Sequence, residues 1–75
     1  MNVVIIGSGN VATVFAWLLF KHQHTILQVY SRNILMANEL AETVDAIGLN
    51  DLSKITQEAD LYIIAVADKA IESIV

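Results

Sequence analysis

Asn2-Val3-Val4-Ile5-Ile6-Gly7-Ser8-Gly9-Asn10-Val11-Ala12 is the stretch whose reading decides the fold. Val3–Ile6 is an apolar, β-branched run, the pattern of a strand buried on both faces of a parallel sheet. It runs into G-x-G-x-x-A and then at once into a segment of helix length. Strand, tight turn and helix form the context that the dinucleotide-binding fingerprint requires. Gly7 permits the sharp turn. Gly9, lacking a side chain, lets the backbone approach a pyrophosphate, and Ala12 keeps the helix close to the strand. The first free N–H groups of that helix then face the phosphates and favour their charge.

Working outward, the first helix is expected from Asn10 to about His22. Between Val11 and Phe20 only Thr13 is polar. A helix apolar nearly all round is buried on more than one side, so something besides the sheet is expected to cover it. Trp17 and Phe20 read as core or domain interface. Crossing a membrane takes roughly 20 apolar residues, more than this run offers, and no basic n-region or small-residue cleavage site marks it as an export signal.

Thr25–Tyr30 reads as the second strand. Where an NAD-binding unit places a carboxylate for the ribose 2′-hydroxyl, this chain has Ser31-Arg32-Asn33 and no acid. A hydroxyl, a guanidinium and an amide donate to a 2′-phosphate, and Arg32 can hold two of its oxygens at once. NADP is favoured over NAD. The plainer alternatives are a solvated cation for Arg32 and a helix N-cap for Ser31 or Asn33.

From Asn33 to Asp45, Ile34, Ala37, Leu40, Ala41 and Val44 recur at helical spacing. Glu39, Glu42 and Asp45 fall on the solvated side and do not read as paired catalytic carboxylates. Ala46–Leu49 is expected as a short third strand, Leu52–Ile55 as a brief helical piece, and Leu61–Ala67 as a fourth, wholly apolar strand. The backbone at Val66-Ala67 is then expected beneath the nicotinamide-side ribose. Asp68 reads as the N-cap of a helix beginning near Lys69. Alternating strands and helices imply right-handed crossovers and an α/β, Rossmann-type parallel sheet with helices on both faces, in the order 3-2-1-4. An apolar edge strand is an aggregation hazard that complete proteins cover. The 75 residues are therefore expected to be the N-terminal part of a longer protein.

Composition narrows the function classes. A mean hydropathy of +0.60 points to missing partner surface, and a net charge of −4 with four basic residues argues against a nucleic-acid face. The absence of cysteine excludes disulfides and thiolate-bound metals. His22 and His24 lie two residues apart, do not share a helix face and have no carboxylate cluster beside them, so no metal site is expected. Without an export signal, the cytoplasm is the expected location, and no membrane association is anticipated.

Gly7-Ser8-Gly9-Asn10-Val11-Ala12, Val29-Tyr30-Ser31-Arg32 and Ala59-Asp60-Leu61-Tyr62-Ile63-Ile64-Ala65-Val66 together resemble the N-terminal domain of one NADP-binding group. That group holds pyrroline-5-carboxylate reductase, the deazaflavin-dependent NADP oxidoreductases and 6-phosphogluconate dehydrogenase. Within it, the chain is most similar to an uncharacterised bacterial branch of Rossmann-like proteins. The resemblance spans nearly the whole chain and is specific for the cofactor rather than for a substrate. It implies a following helical domain that dimerises and completes the active site. It also implies phosphate-loop contacts at Ser8, Asn10 and Val11, 2′-phosphate contacts at Ser31 and Arg32, and a nicotinamide-side loop at Val66-Ala67. The reductases carry a lysine and a proline where this chain has Ala67-Asp68, a departure that bears on substrate chemistry.

The expected function is an NADP-dependent oxidoreductase acting on a small molecule, in which the cofactor carries the chemistry and the protein positions it. The alternative is a nucleotide-sensing or regulatory module without a reaction, because fold does not fix function. A methyltransferase normally wants an acid at the end of the second strand, and Ser31-Arg32 argues against it. The resemblance places proton-transfer groups beyond Val75, so no catalytic residue is assigned.

Overall fold

The computed structural model describes residues 1–7 and 9–65. Within these residues, four strands, two helices and one 3-10 turn follow in chain order. They are β1 (Asn2–Ile6), α1 (Asn10–Lys21), β2 (Thr25–Tyr30), α2 (Ile34–Thr43), β3 (Ile47–Leu49), the 3-10 turn Leu52–Lys54, and β4 (Leu61–Ile64). The sheet order is β3-β2-β1-β4, and every pairing is parallel. β1 lies at its centre, with Ile5 opposite Val29 on one side and Ile63 on the other. This is the 3-2-1-4 Rossmann arrangement expected from the sequence.

Both faces of the sheet are flanked. Val3, Ile5, Ile26 and Val29 meet Ala12 and Ala16 of α1 and Leu40 and Ala41 of α2 in one buried cluster. Val4 is also fully buried but stands outside that cluster. Alternation along a strand turns it to the opposite face, with its register partners Gln28 and Tyr62. The 3-10 turn and its flanking loops cross there. The Gln28 side chain donates from Nε2 to the Lys54 carbonyl (3.2 Å) and accepts the Thr56 N–H on Oε1 (2.9 Å). The Tyr62 hydroxyl donates to the Thr56 carbonyl at 2.5 Å. One polar residue inside an apolar strand thus ties down the long β3–β4 crossover.

Several boundaries differ from the expectation. α1 stops at Lys21, with His22 as its C-cap donating to the Leu18 carbonyl (3.1 Å) and Gln23 in the left-handed region at φ 68°. α2 is shorter than 33–45 because Asn33 caps it and Asp45 turns left-handed at φ 57°. β3 begins at Ile47, one residue after the alanine expected to open it. β4 ends at Ile64. The remaining expectations for its C-terminal end at Val66-Ala67, the Asp68 cap and the helix from Lys69 fall outside the described residues.

Trp17 and Phe20 are not core residues of this unit: they are 53% and 45% exposed, as are Val11, Val14, Phe15 and Leu18 to similar degrees. The two small residues Ala12 and Ala16 press α1 onto the sheet, which turns the large side chains elsewhere. Trp17 instead donates its indole N–H to Thr43 Oγ1 (2.9 Å), joining α1 to α2. Among the described residues, no helix is long and apolar enough to cross a membrane.

Candidate functional site

The sheet order reverses beside β1, where one crossover leads to β2 and the other to β4. In an open α/β sheet, ligands bind outside the carboxyl ends of the strands at such a point. Of the residues singled out in the sequence, Gly7, Gly9, Asn10, Val11, Ala12, Ser31, Arg32 and Asn33 are described, in the turns that follow β1 and β2. Gly7 follows β1 with φ 125°, and its N–H donates to the Tyr30 carbonyl (2.8 Å), placing the glycine turn beside the end of β2. Ser31, Arg32 and Asn33 continue from that end.

Gly9 is the N-cap of α1, with φ 96° and ψ −169°, a region essentially restricted to glycine. It has no side-chain cap, and among the described residues a Cβ added to it would meet no heavy atom within 4 Å. The space above this backbone is therefore open, as a cradle for a phosphate group needs. Its carbonyl is satisfied within the helix, accepting from the Thr13 N–H (3.0 Å) and hydroxyl (2.7 Å). Asn10 and Val11 are exposed on the first turn of α1, whereas Ala12 is fully buried in the core. Ala12 thus acts on the loop through packing. Ser8, Val66 and Ala67 lie outside the described residues.

On the β2 side, the three expected residues separate by role. Ser31 is 6% exposed; its N–H donates to the Leu49 carbonyl (3.0 Å), and its Oγ accepts the Asn33 N–H (3.3 Å). Asn33 caps α2, its Oδ1 accepting the Leu35 N–H (2.9 Å). Arg32, between them, is exposed. Neither α1 nor α2 carries an acid in its first turn. A guanidinium and the positive ends of two helix dipoles thus stand on one edge of the sheet, an arrangement that attracts anions, while the Glu39 carboxylate lines the cavity that opens beside Gly9 and Asn10. The fit to a phosphorylated dinucleotide rests on this charge pattern and on the open space over Gly9.

Two structural contributors escaped the sequence reading. Gly48 lets α2 sit close on β3, since a Cβ there would come within 2.9 Å of the Asn38 nitrogen. Gly7, read for its turn alone, also lies against the end of β4. A glycine beside a predicted helix is the only signal the chain offered for the first. Among the described residues, no three His, Cys, Asp or Glu side chains gather as a metal site would require.

Comparison with known proteins follows this geometry. Residues 1–73 match the family model of shikimate/quinate 5-dehydrogenase. The chain is also similar to a crystal structure from Bacteroides fragilis described as a "putative NADP oxidoreductase". The TM-score is 0.88 and the identity 40%, over 97% of this chain and 28% of that one. The chain therefore spans little more than a quarter of that relative's length. No curated protein matches.

Proposed function

The chain belongs to the shikimate/quinate 5-dehydrogenase family, and from that membership we propose that it is the NADP(H)-binding domain of an oxidoreductase. The observation that carries this reading is the pairing of the open Gly9 backbone with an acid-free Ser31-Arg32-Asn33 turn on the same sheet edge. In this reading Gly7, Ser8, Gly9, Asn10 and Val11 form the pyrophosphate loop, with Ala12 holding α1 against the sheet. Arg32 neutralises the 2′-phosphate, and Val66-Ala67 lie on the nicotinamide side. When bound, the cofactor supplies hydride exchange with a small-molecule substrate.

What the chain's own residues contribute is binding and orientation. The N–H groups at the start of α1 face the pyrophosphate, and their dipole favours its charge without any mobile counter-ion. Substrate binding and proton transfer are assigned to a following, mostly helical domain that also forms a homodimer. The resemblance to pyrroline-5-carboxylate reductase, the deazaflavin-dependent oxidoreductases and 6-phosphogluconate dehydrogenase supports that division of labour. The similarity to the Bacteroides fragilis protein supports the NADP assignment.

Calorimetric titration of the full-length protein with NADPH and NADH at moderate salt tests this reading. Tight binding selective for NADPH is the expected result and directs a substrate screen toward imines and hydroxyacids. Binding of neither nucleotide would overturn it in favour of a regulatory module that has kept the fold without the cofactor.

A further inference from the structure

The turn between β2 and α2 is held by hydrogen bonds that converge on Asn33. Its N–H donates to the buried Ser31 hydroxyl oxygen (3.3 Å), and its side-chain Oδ1 accepts the Leu35 N–H (2.9 Å). Its carbonyl accepts the Ala37 N–H (3.1 Å) as the first bond of α2. Ser31 is itself anchored to β3 through its N–H and the Leu49 carbonyl (3.0 Å). Arg32, between these two anchored residues, is exposed.

We propose that Asn33 is a positioning residue for cofactor choice. It caps α2 and closes the Ser31–Asn33 turn, thereby fixing the backbone from which Arg32 reaches the 2′-phosphate. The inference rests on the reading of Arg32 given above. An arginine side chain has many rotamers, and ordering it on binding opposes affinity. A turn fixed in advance confines that cost to the side chain. The carboxamide oxygen of Asn33 is engaged by the Leu35 N–H, whereas its Nδ2 is the atom that would donate to a phosphate, so the variants must separate the cap from that contact.

Serine caps a helix about as well as asparagine but has no amide to donate. Binding of NADPH and NADH to the full-length protein therefore separates the two roles. Asn33→Ala is expected to weaken NADPH about fivefold, the equivalent of one lost cap, while changing NADH less than twofold. Asn33→Ser is expected to restore NADPH affinity to within about twofold of wild type on the same grounds. In an Arg32→Ala background, Asn33→Ala should have no further effect on NADPH, because its influence passes through the guanidinium.

Three results would overturn the proposal. Asn33→Ser binding as weakly as Asn33→Ala would make the carboxamide a direct contact. Equal losses for both nucleotides in Asn33→Ala would reduce the residue to a purely structural cap, and additive losses in the Arg32→Ala background would make it independent of Arg32. A wild-type protein that binds NADPH and NADH alike would instead remove the Arg32 reading, and this inference with it.

Discussion

Gly7 lies directly against the carbonyl of Ala65, so closely that a Cβ at Gly7 would overlap that oxygen and come within 2.8 Å of the carbonyl carbon. The Ala65 N–H in turn donates to the Ile6 carbonyl (2.8 Å). The glycine turn after β1 and the end of β4 are thus locked as one unit at the sheet's carboxyl edge. Gly7→Ala meets two obstacles: φ is 125°, and the colliding atom is backbone, which cannot swing away. The expected cost is about 3 kcal/mol of stability, read from urea unfolding of the full-length protein. A loss below about 1 kcal/mol would mean that the β4 end can retreat cheaply, contrary to this packing.

Gly9 presents the opposite case. Its Cβ direction meets none of the described residues, so Gly9→Val is expected to cost stability through the strained φ/ψ, about 1–3 kcal/mol. Binding should suffer far more, since the branched side chain would fill the space assigned to the pyrophosphate. Loss of both NADPH and NADH binding from a protein that still folds is the expected outcome. Unchanged affinity would discard the fingerprint reading of Gly7–Ala12.

Much of this was legible in the sequence because it follows from local rules. A β-branched run ending in G-x-G-x-x-A dictates strand, turn and helix, and Ala37, Leu40 and Ala41 of α2 and its C-cap Val44 are buried at helical spacing, whereas Ile34, expected with them, is exposed at the helix start. What escaped depends on contacts distant in sequence. Nothing near Gly7 announces Ala65, and nothing around Gln28 foretells that it holds residues 54 and 56. The division of labour within Ser31-Arg32-Asn33 was legible only in part. The sequence offered an N-cap at Ser31 or Asn33 without choosing between them, and only the Leu35 contact and the burial of Ser31 assign it to Asn33. For Trp17 and Phe20 the apolar run left core and domain interface open, and their exposure here excludes the first for this unit.

Gln28 gives a stability test of the crossover. Gln28→Leu preserves size but leaves the Lys54 carbonyl and the Thr56 N–H without their side-chain partner. Losing two hydrogen bonds from a half-buried site should cost about 1–3 kcal/mol. The loss should appear as faster amide hydrogen exchange at Thr56 before any change at α1. Uniform exchange across the chain would argue that the crossover is held by its apolar contacts instead.

Asp51 supplies a pH dependence. Its Oδ1 accepts from the Ser53 hydroxyl (2.7 Å) and the Ser53 N–H (2.9 Å). The Ser53 hydroxyl first, then its N–H, hold the carboxyl below the ordinary aspartate range, with Lys54 adding a smaller attraction. A depressed folded-state value means the unfolded chain binds the proton more readily, so the contribution is fully present above the ordinary aspartate range. It is lost as pH falls through the folded-state value. The carboxylate is fully exposed, so the effect is confined to the 3-10 turn. Proton resonances of Ser53 should shift in acid, while those of β1 stay unchanged; movement of both together would tie Asp51 to global unfolding.

Arg32 carries the choice between nucleotides. It is exposed at the end of β2, follows the anchored Ser31, and has no carboxylate on either side in sequence. Arg32→Ala removes the only formal positive charge of this turn, and a charge-assisted hydrogen bond contributes about 1.5–3 kcal/mol. NADPH affinity is therefore expected to fall about 10- to 100-fold while NADH changes less than twofold. Arg32→Lys should recover only part of the loss, because a lysine offers a point charge without the bidentate fork. Raising the salt should weaken NADPH binding to wild type more than to Arg32→Ala, since screening acts on the charge the variant lacks. Equal losses of NADPH and NADH in Arg32→Ala would leave the guanidinium with a general role in the loop and return the 2′-phosphate to other residues.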